Sequence, residues 1–260
     1  MSPRERVYQT EGIVLRRSDF GESDRLLTVL TPERGKIRLI AKGARKPSSR
    51  KSGHVELFSR GQYLVAVGRD LDILTQAETL EAYKGLREDL LRTTYGYYVA
   101  ELADAFTADH DENRPLYELL KEALGWLSAV EDLPLAARYY ELHLLGLVGY
   151  QPQLFLCGGC KKQVEPVVNY LSAADGGVFC PRCHHDRAGR TAMAPISVNA
   201  LKALRFLQTR EWEDCNKLRL SPETHAQVEQ IMNTYITYHL ERKLKSVDFI
   251  HRLRRQMGAG

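Results

Sequence analysis

Two C-x2-C motifs constrain the local fold of this chain more than any other feature of its sequence. They are CGGC, at Cys157 and Cys160, and CPRC, at Cys180 and Cys183, and 19 residues separate them. This spacing is typical of a zinc ribbon. Each motif directs two thiolates to one point, so two motifs complete a tetrahedral shell of four sulfur ligands. The sequence therefore predicts one zinc ion per chain, bound by these four cysteines.

The predicted metal site is structural. Four thiolates leave no open position on the metal for a substrate or a reactive water. His184 and His185 are alternative ligands, although a solvent-facing position is the simpler interpretation. A redox role would require a βαβ setting for a C-x2-C motif, which the sequence does not predict. The segment VVNYLSAADGGVF is expected to form a hairpin between the motifs, and Cys215 is expected to be a buried or incidental thiol.

The first 80 residues are predicted to form strands. Five runs rich in β-branched and apolar residues recur at about ten-residue spacing, separated by polar or glycine-containing turns. They are EGIVLRR, RLLTVLT, KIRLIAK, QYLVAVG and LDILTQA. Five strands of this length suit a small barrel of the OB type. We therefore expect an OB-fold over residues 1–83.

From about Lys84 the hydrophobic period becomes helical. An apolar stripe is predicted at Leu86, Leu90, Leu91, Tyr98, Leu102 and Phe106. Helix starts are predicted at Asn113, Asp132, Ser197 and Ser221, with the last helix running to Leu244 and Ser246 capping a final short turn. The predicted fold class is α+β multidomain: the OB barrel, then an all-helical domain over residues 84–152 and 193–260, with an inserted four-cysteine zinc module over residues 153–192.

Charge is segregated along a chain whose net charge is only +4. Residues 1–55 hold 13 basic and 6 acidic side chains, whereas residues 88–141 hold 4 basic and 12 acidic ones. Eight cations fall within residues 34–51, which contain no Asp or Glu. This asymmetry favours a nucleic-acid partner.

The third predicted strand places basic side chains on one face. Because side chains alternate along a strand, Lys36, Arg38 and Lys42 should face away from the apolar residues between them. They lead into the basic loop, KGARKPSSRKSG at residues 42–53, which has no evident apolar anchor and is expected to be mobile. A cationic groove that follows the phosphate backbone suits sequence-independent binding of single strands. A solvated charged face is the alternative interpretation, but such faces usually mix both signs.

The predicted nucleic-acid contacts are the cations of this region: Arg34, Lys36, Arg38, Lys42, Arg45, Lys46, Arg50 and Lys51, with Arg16 and Arg17 as additions. The sequence leaves open whether three C-terminal arginines, Arg252, Arg254 and Arg255, extend this surface or form a solvated helix end. Five tyrosines in predicted helices offer base-stacking rings, but core packing is the favoured interpretation in an acidic segment: Tyr95, Tyr97, Tyr98, Tyr139 and Tyr140.

Known catalytic patterns are missing from the sequence. It has no G-x-x-x-x-G-K-[ST] phosphate loop, no H-E-x-x-H and no G-x-S-x-G, so we do not expect an enzyme. No apolar run approaches 18 residues, so no membrane span is expected. The polar start, MSPRERVYQTEG, does not resemble a secretory signal. A cytoplasmic, reducing location is therefore expected, where disulfides are rare.

Five segments in order across nearly the whole chain carry a family resemblance. They are GIVLRRSDFGESDRLLTVLTPERGKIRLIAKGARKPSSR, LDILTQAETLEAY, ELHLLGLVGYQPQL with the first cysteine motif, CPRC, and YHLERKLKSVDFI. They resemble the RecO family of bacterial DNA repair and recombination mediators. The resemblance implies the same architecture of OB-fold, helical domain and zinc module.

The resemblance also implies a function. Such proteins bind single-stranded DNA and anneal complementary strands, including strands coated by single-strand-binding protein. With RecR they help to load RecA, without hydrolysing nucleotide, and they bind the acidic C-terminal tail of single-strand-binding protein. No residue of this sequence identifies a pocket for that tail, and binding of double-stranded DNA stays open. Two alternatives remain: a zinc-ribbon transcription or RNA-binding factor, and a protein-interaction scaffold whose basic face meets an acidic partner.

Overall fold

A computed structural model describes residues 6–187 and 191–257 of the chain. The start of the predicted barrel, the end of the second helical segment and residues 188–190 of the predicted zinc module lie outside the described residues. The chain forms two compact units. The first contains the chain up to Ala129 together with the chain from Ser246, and the second spans Val130–Lys245.

The first unit begins with a closed barrel of five strands, which confirms the predicted OB-type fold. The strands are β1 (Val7–Phe20), β2 (Asp24–Thr31), β3 (Gly35–Ala41), β4 (Arg60–Ala66) and β5 (Asp72–Glu81). Their order around the barrel is β1-β2-β3-β5-β4. Every pairing is antiparallel except that of β3 with β5. The long β1 pairs with both β2 and β4 and so closes the barrel.

Alternating apolar side chains fill the barrel, as period-two patterning requires. Fully buried members of this core include Val14, Leu27, Val29, Leu39, Tyr63, Val65 and Leu74. The basic loop contributes Ala44 to the same core, with no exposed surface. The expectation of an unanchored loop was therefore wrong, because even a single methyl group anchors the chain when the barrel encloses it. Backbone hydrogen bonds from Arg45 to Ser23 (2.9 Å) and from Gly43 to the Asp24 carboxylate (2.8 Å) add to this anchor.

Three helices follow the barrel in the first unit: α1 (Gly85–Glu88), α2 (Leu90–Phe106) and α3 (Arg114–Ala129). The predicted continuous helix from Lys84 is broken at Asp89, whose backbone is extended. The Asp89 carboxylate caps α2 by accepting a hydrogen bond from the Arg92 backbone (2.7 Å). Leu90, predicted to belong to the apolar stripe, directly follows this break and is 57% exposed.

The second unit combines helices with one small sheet. Its elements are α4 (Leu133–Leu147), β6 (Asn169–Ser172), β7 (Gly177–Phe179), α5 (Pro181–His185), β8 (Ala194–Ile196), α6 (Val198–Thr209), α7 (Trp212–Cys215) and α8 (Pro222–Leu240). The predicted hairpin between the cysteine motifs is confirmed as β6 and β7. Predicted caps are also confirmed: Asp132, Ser197 and Ser221 each accept a backbone hydrogen bond in the first turn of α4, α6 and α8.

The chain returns to the first unit in α9 (Lys245–Met257). Helix α8 ends at Leu240 rather than at the predicted Leu244, because Glu241 adopts a left-handed backbone conformation (φ 53°). Ser246, predicted to cap a final short turn, lies inside α9, one residue after the start of that helix. Its backbone N–H (2.9 Å) and its hydroxyl (2.5 Å) both donate to the Glu101 carboxylate of α2.

Four of the five helical tyrosines are buried, which confirms core packing for Tyr95, Tyr98, Tyr139 and Tyr140. Tyr97 is 46% exposed and meets Phe58 edge to face at 5.0 Å. Within the described residues, no helix has the length and apolar character needed to cross a membrane.

Candidate metal centre and nucleic-acid interface

The two cysteine motifs meet at one point in the second unit. The Sγ atoms of Cys157, Cys160, Cys180 and Cys183 all lie within 4.8 Å of one another. The Sγ atoms of Cys160 and Cys180 are 4.0 Å apart. A tetrahedral zinc ion with Zn–S bonds of about 2.3 Å requires sulfur atoms roughly 3.8 Å apart. The four cysteines can therefore hold a metal ion with little rearrangement.

Glycines in the first motif permit this approach. A Cβ atom on Gly159 would lie 2.9 Å from Cys183 Sγ, and one on Gly158 would lie 2.5 Å from the Phe179 ring. The chain then turns at Lys161, whose φ is 60° and whose N–H donates to the Cys157 carbonyl (2.9 Å). Glycine is therefore required at both positions between Cys157 and Cys160 because a larger side chain would not fit there.

The local hydrogen bonds favour thiolate at one cysteine. Burial of Cys157 disfavours the thiolate, but backbone hydrogen bonds from Cys180, Cys160 and Gly159 outweigh that effect and lower the pKa of Cys157 to about 6. The Cys180 N–H lies 3.3 Å from Cys157 Sγ. Because the thiolate is the form that binds metal, this lowered pKa makes Cys157 suitable as a metal ligand.

The other predicted ligands and the fifth cysteine lie apart from this cluster. The His184 ring stacks on Tyr170, with ring centroids 3.5 Å apart, and His185 is exposed. Cys215 is fully buried, with its thiol facing the carbonyls of Phe206 and Arg210. Burial raises the pKa of Cys215 to about 11, so this thiol is unreactive near neutral pH.

The cations of the predicted nucleic-acid surface occupy four different environments. Lys36 is buried, and its ammonium donates to the carbonyls of Asp104 (2.7 Å) and Thr107 (2.8 Å) and to the Asp104 carboxylate (3.0 Å). It therefore belongs to an internal contact rather than to an exposed surface. Strand alternation does turn Lys36 out of the barrel, but residues outside the barrel cover it.

A second group of cations is paired with carboxylates or rings. Arg16 meets Asp104 (3.2 Å), and Arg38 meets Asp109 (3.1 Å). Other members are Arg17, paired with Glu56; Arg45, 3.4 Å from Asp19; and Arg34, 3.9 Å from the centroid of the Tyr8 ring. The basic window contains no acid in its own sequence, but the fold brings acids to it from elsewhere. Surface ion pairs of this kind are weak and exchangeable.

The third group is exposed positive charge on the basic loop. Lys42, Lys46 and Arg50 are exposed, and within the described part of the chain they form no ion pair. Lys51 is different: it is half-buried, its ammonium donates to the Leu74 carbonyl (3.1 Å), and burial lowers its pKa. The three exposed cations are thus the part of the predicted surface most available to an anionic partner.

The C-terminal arginines also differ from one another. Arg254 donates to the Tyr95 hydroxyl and lies over its ring, whereas Arg252 and Arg255 are exposed on α9. Asp104 and Asp109, the acids that pair with Arg16 and Arg38 of the barrel, were not predicted from the sequence. The available signal was the acidic charge of residues 88–141, opposite in sign to the barrel.

Comparisons with known proteins cover almost the entire chain. The family model "Recombination protein O N terminal" matches residues 1–83, and "Recombination protein O C terminal" matches residues 87–248. The chain is 42% identical to the DNA repair protein RecO of Roseiflexus sp. (strain RS-1), over 98% of this chain and 88% of that protein. It is 36% identical to the DNA repair protein RecO of Pelotomaculum thermopropionicum, over 95% and 94% of the two chains. The corresponding protein of Dehalococcoides mccartyi (strain 195) is 33% identical over 95% and 96%.

Proposed function

The chain belongs to the RecO family of DNA repair proteins, and from this premise we propose that it binds single-stranded DNA and anneals complementary strands. We propose further that, together with RecR, it helps to load RecA onto DNA coated by single-strand-binding protein. Binding of the acidic C-terminal tail of single-strand-binding protein belongs to the same proposal, without an assigned pocket. Double-stranded DNA is a further ligand to be tested.

The observation that carries the proposal is the exposed charge of the basic loop. Lys42, Lys46 and Arg50 extend from an OB-type barrel, a fold whose strand 2–3 face often binds oligonucleotides. A mediator must hold any sequence, so its affinity should come from phosphates rather than from base edges. Lysine and arginine side chains without internal carboxylate partners meet that requirement. Arg45 within this loop and Arg34 in the turn before β3 are proposed as secondary contacts.

The four cysteines support a structural role for zinc within this function. Their sulfur atoms are spaced for a tetrahedral ion, and four thiolates leave no position for a reacting water. We therefore propose about one zinc ion per chain and no catalytic activity of the chain itself. The proposed division of labour assigns DNA binding to residues 1–83 and a supporting role to the helical segments and the zinc module. The proposed location is the cytoplasm.

A strand-annealing assay tests this function most directly. Two complementary labelled oligonucleotides are mixed with the protein, with and without prior coating by single-strand-binding protein. The proposal expects faster annealing in both cases, without nucleotide. Matched RNA strands form the comparison: equal or tighter RNA binding without annealing would support an RNA-binding factor instead. Absence of DNA binding at low salt would support a protein-interaction scaffold.

A further inference from the structure

Three strands of the barrel place a basic row on its outer surface. Arg16 of β1 is the register partner of Thr28 in β2, and Thr28 is the partner of Arg38 in β3. Adjacent strands lie about 4.8 Å apart, so the two arginines stand roughly 10 Å apart with a hydroxyl between them. Their side chains are 72% and 58% exposed. The row can therefore present two guanidinium groups and a hydroxyl to one ligand.

The row lines a cavity of about 190 Å³ on the surface of the first unit. Arg17 lines the same cavity, and Asp104 and Asp109 form part of its wall. Each carboxylate faces one arginine of the row: Asp104 meets Arg16 at 3.2 Å, and Asp109 meets Arg38 at 3.1 Å. The two arginines thus already hold anions, supplied by the helical segment of the same chain.

The backbone and a buried lysine hold these carboxylates in place. The backbone of Asp109 forms an isolated parallel β-bridge with Lys36 of β3, and the His110 N–H donates to the Lys36 carbonyl (2.9 Å). The buried Lys36 ammonium binds Asp104 and the Thr107 carbonyl. The loop after α2, residues 107–113, is therefore docked along the barrel. These contacts hold the Asp104 and Asp109 carboxylates in place beside Arg16 and Arg38.

We propose that this cavity is a phosphodiester-binding site for single-stranded DNA, and that Asp104 and Asp109 occupy its anion positions in the free protein. The inference rests on the proposed function and adds to it two carboxylates of the same chain that compete with DNA phosphates for the arginines. A guanidinium group binds a carboxylate and a phosphate with the same two-pronged geometry. A DNA phosphate therefore replaces Asp109 on Arg38 and Asp104 on Arg16 without leaving either arginine unpaired. Competition from these carboxylates lowers the affinity for each DNA strand. A lower affinity suits a protein that must release the strands after annealing.

Replacement of one competing carboxylate tests the idea. Asp109→Asn removes the charge that faces Arg38 and keeps the side-chain shape. Asp111→Asn is the matched control, because Asp111 lies in the same loop, is exposed, and forms no ion pair within the described residues. Both changes are also made in an Arg38→Gln background. Binding of a fluorescent oligothymidylate is measured at several salt concentrations, and thermal unfolding verifies that each variant folds. Asp104 is left intact because its carboxylate is the nearer partner of the buried Lys36 ammonium, at 3.0 Å against 3.7 Å for Asp109.

The expected result is a higher affinity for the oligonucleotide in the Asp109→Asn variant but not in the Asp111→Asn variant. A surface pair of this kind predicts that Asp109→Asn binds about two- to fivefold more tightly than Asp111→Asn, and that the difference disappears with Arg38→Gln. Equal affinities of the two variants, or a difference that persists with Arg38→Gln, overturn the competitor while leaving DNA binding intact. If the unmodified protein does not bind the oligonucleotide at low salt, the proposed function and this inference both fail.

Discussion

Gly35 occupies a position that other residues cannot fill without moving the chain. Its φ is 60°, and a Cβ atom built on it would lie 2.1 Å from the Asp111 carbonyl oxygen. The glycine therefore serves two purposes: it allows a left-handed backbone conformation and lets the 107–113 loop approach β3. Gly21, in the turn between β1 and β2, has a similar φ of 56° but no neighbour within 4 Å of its Cβ position.

This pair of glycines gives a prediction with an internal control. Gly21→Ala should lower the free energy of unfolding by about 1 kcal/mol, the usual cost of a left-handed conformation. Gly35→Ala should cost more than about 2 kcal/mol, since a backbone contact is broken as well. Urea unfolding of both variants measures the difference. Equal losses would show that the loop is not held against β3 as described.

The cysteine site gives a second prediction at this scale. Protein purified without chelator should contain about one zinc ion per chain by elemental analysis. Cys180→Ser should lose the metal and destabilise the second unit, because a structural zinc site contributes on the order of 10 kcal/mol to local folding. Cys215→Ser is the control that should retain zinc, since Cys215 lies apart from the cluster. Metal-free wild-type protein would contradict the proposed site.

At the residue scale, the sequence predicted the cluster of four cysteines well and the exposure of side chains poorly. Cysteine spacing predicted four side chains at one point because short-range geometry decides the matter. The burial of Lys36 and of Ala44 depends on which distant segments cover them, and no local pattern encodes that. For the same reason the window of residues 34–51 contains no acids while several of its cations have acidic partners.

The basic loop is the element on which proposed DNA binding most depends. Reversal of charge at Lys42, Lys46 and Arg50 should weaken binding by a similar factor for unrelated DNA sequences. If three phosphate contacts are lost, the slope of log affinity against log salt should become shallower by roughly two, at about 0.7 per contact. Stability should change little, because none of the three side chains is buried.

Helix α9 provides the matched comparison for that experiment. Its exposed cations Lys245, Arg252 and Arg255 allow a second triple reversal with the same change in net charge. The loop assignment expects a smaller effect from this variant than from the first. An unchanged salt slope in the loop variant together with a shallower slope in the α9 variant would move the DNA surface to the C-terminal helix.

Contact between α4 and α6 predicts a dependence of stability on pH. His143 of α4 donates from Nε2 to the Leu207 carbonyl of α6 (3.0 Å), and burial lowers its pKa. An unfolded histidine titrates near pH 6.5. A lowered folded pKa means that stability is fully present above about pH 6.5 and is lost as the pH falls towards the folded value. The second unit should therefore unfold at lower urea concentration at pH 5 than at pH 7.5.

His143→Gln is the variant that isolates this effect. Glutamine is neutral at every pH and can still donate to the Leu207 carbonyl. The variant should lose less stability between pH 7.5 and pH 5 than the unmodified protein does. Trp126→Phe in both proteins leaves Trp212, in the second unit, as the fluorescent reporter. A pH dependence that is identical with and without His143 would assign the acid sensitivity to other groups.

Most elements could be predicted because their signals are local. The alternation of apolar and polar residues, together with turn residues, predicted all five barrel strands. Capping side chains predicted the starts of α4, α6 and α8. The errors occur where a single residue leaves the helical conformation: Asp89 breaks the first helix, and Glu241 ends α8. Neither residue type breaks a helix as strongly as proline or glycine does, so composition alone does not indicate these breaks.

At the scale of the whole molecule, the first unit is discontinuous in sequence. The chain leaves it after Ala129 and returns at Ser246. The predicted helical domain contains both α2, within residues 84–152, and α9, within residues 193–260, and Ser246 and Arg254 of α9 contact Glu101 and Tyr95 of α2. Sequence proximity could not reveal this connection, since Ser246 lies 145 positions after Glu101 in the chain.

Glu101 is therefore expected to hold the C-terminal helix. Glu101→Ala removes the acceptor of two hydrogen bonds from Ser246, and bonds to charged groups contribute about 1.5–3 kcal/mol each. The variant should lower the stability of the first unit and make residues near α9 more sensitive to protease. Glu101→Gln keeps one acceptor oxygen and should have an intermediate effect. Equal protease resistance of all three proteins would show that other contacts hold α9.

The discontinuity also sets an order of events during synthesis. The barrel and α2 emerge from the ribosome first, and Ser246 at the start of α9 is added 145 positions after Glu101. At about 5–20 residues per second, this interval lasts roughly 7–30 s. Throughout it, the nascent chain has its barrel strands but lacks the helix that covers part of α2. A chain that terminates before α9 therefore exposes the surface of α2 that Ser246 and Arg254 contact in the finished protein.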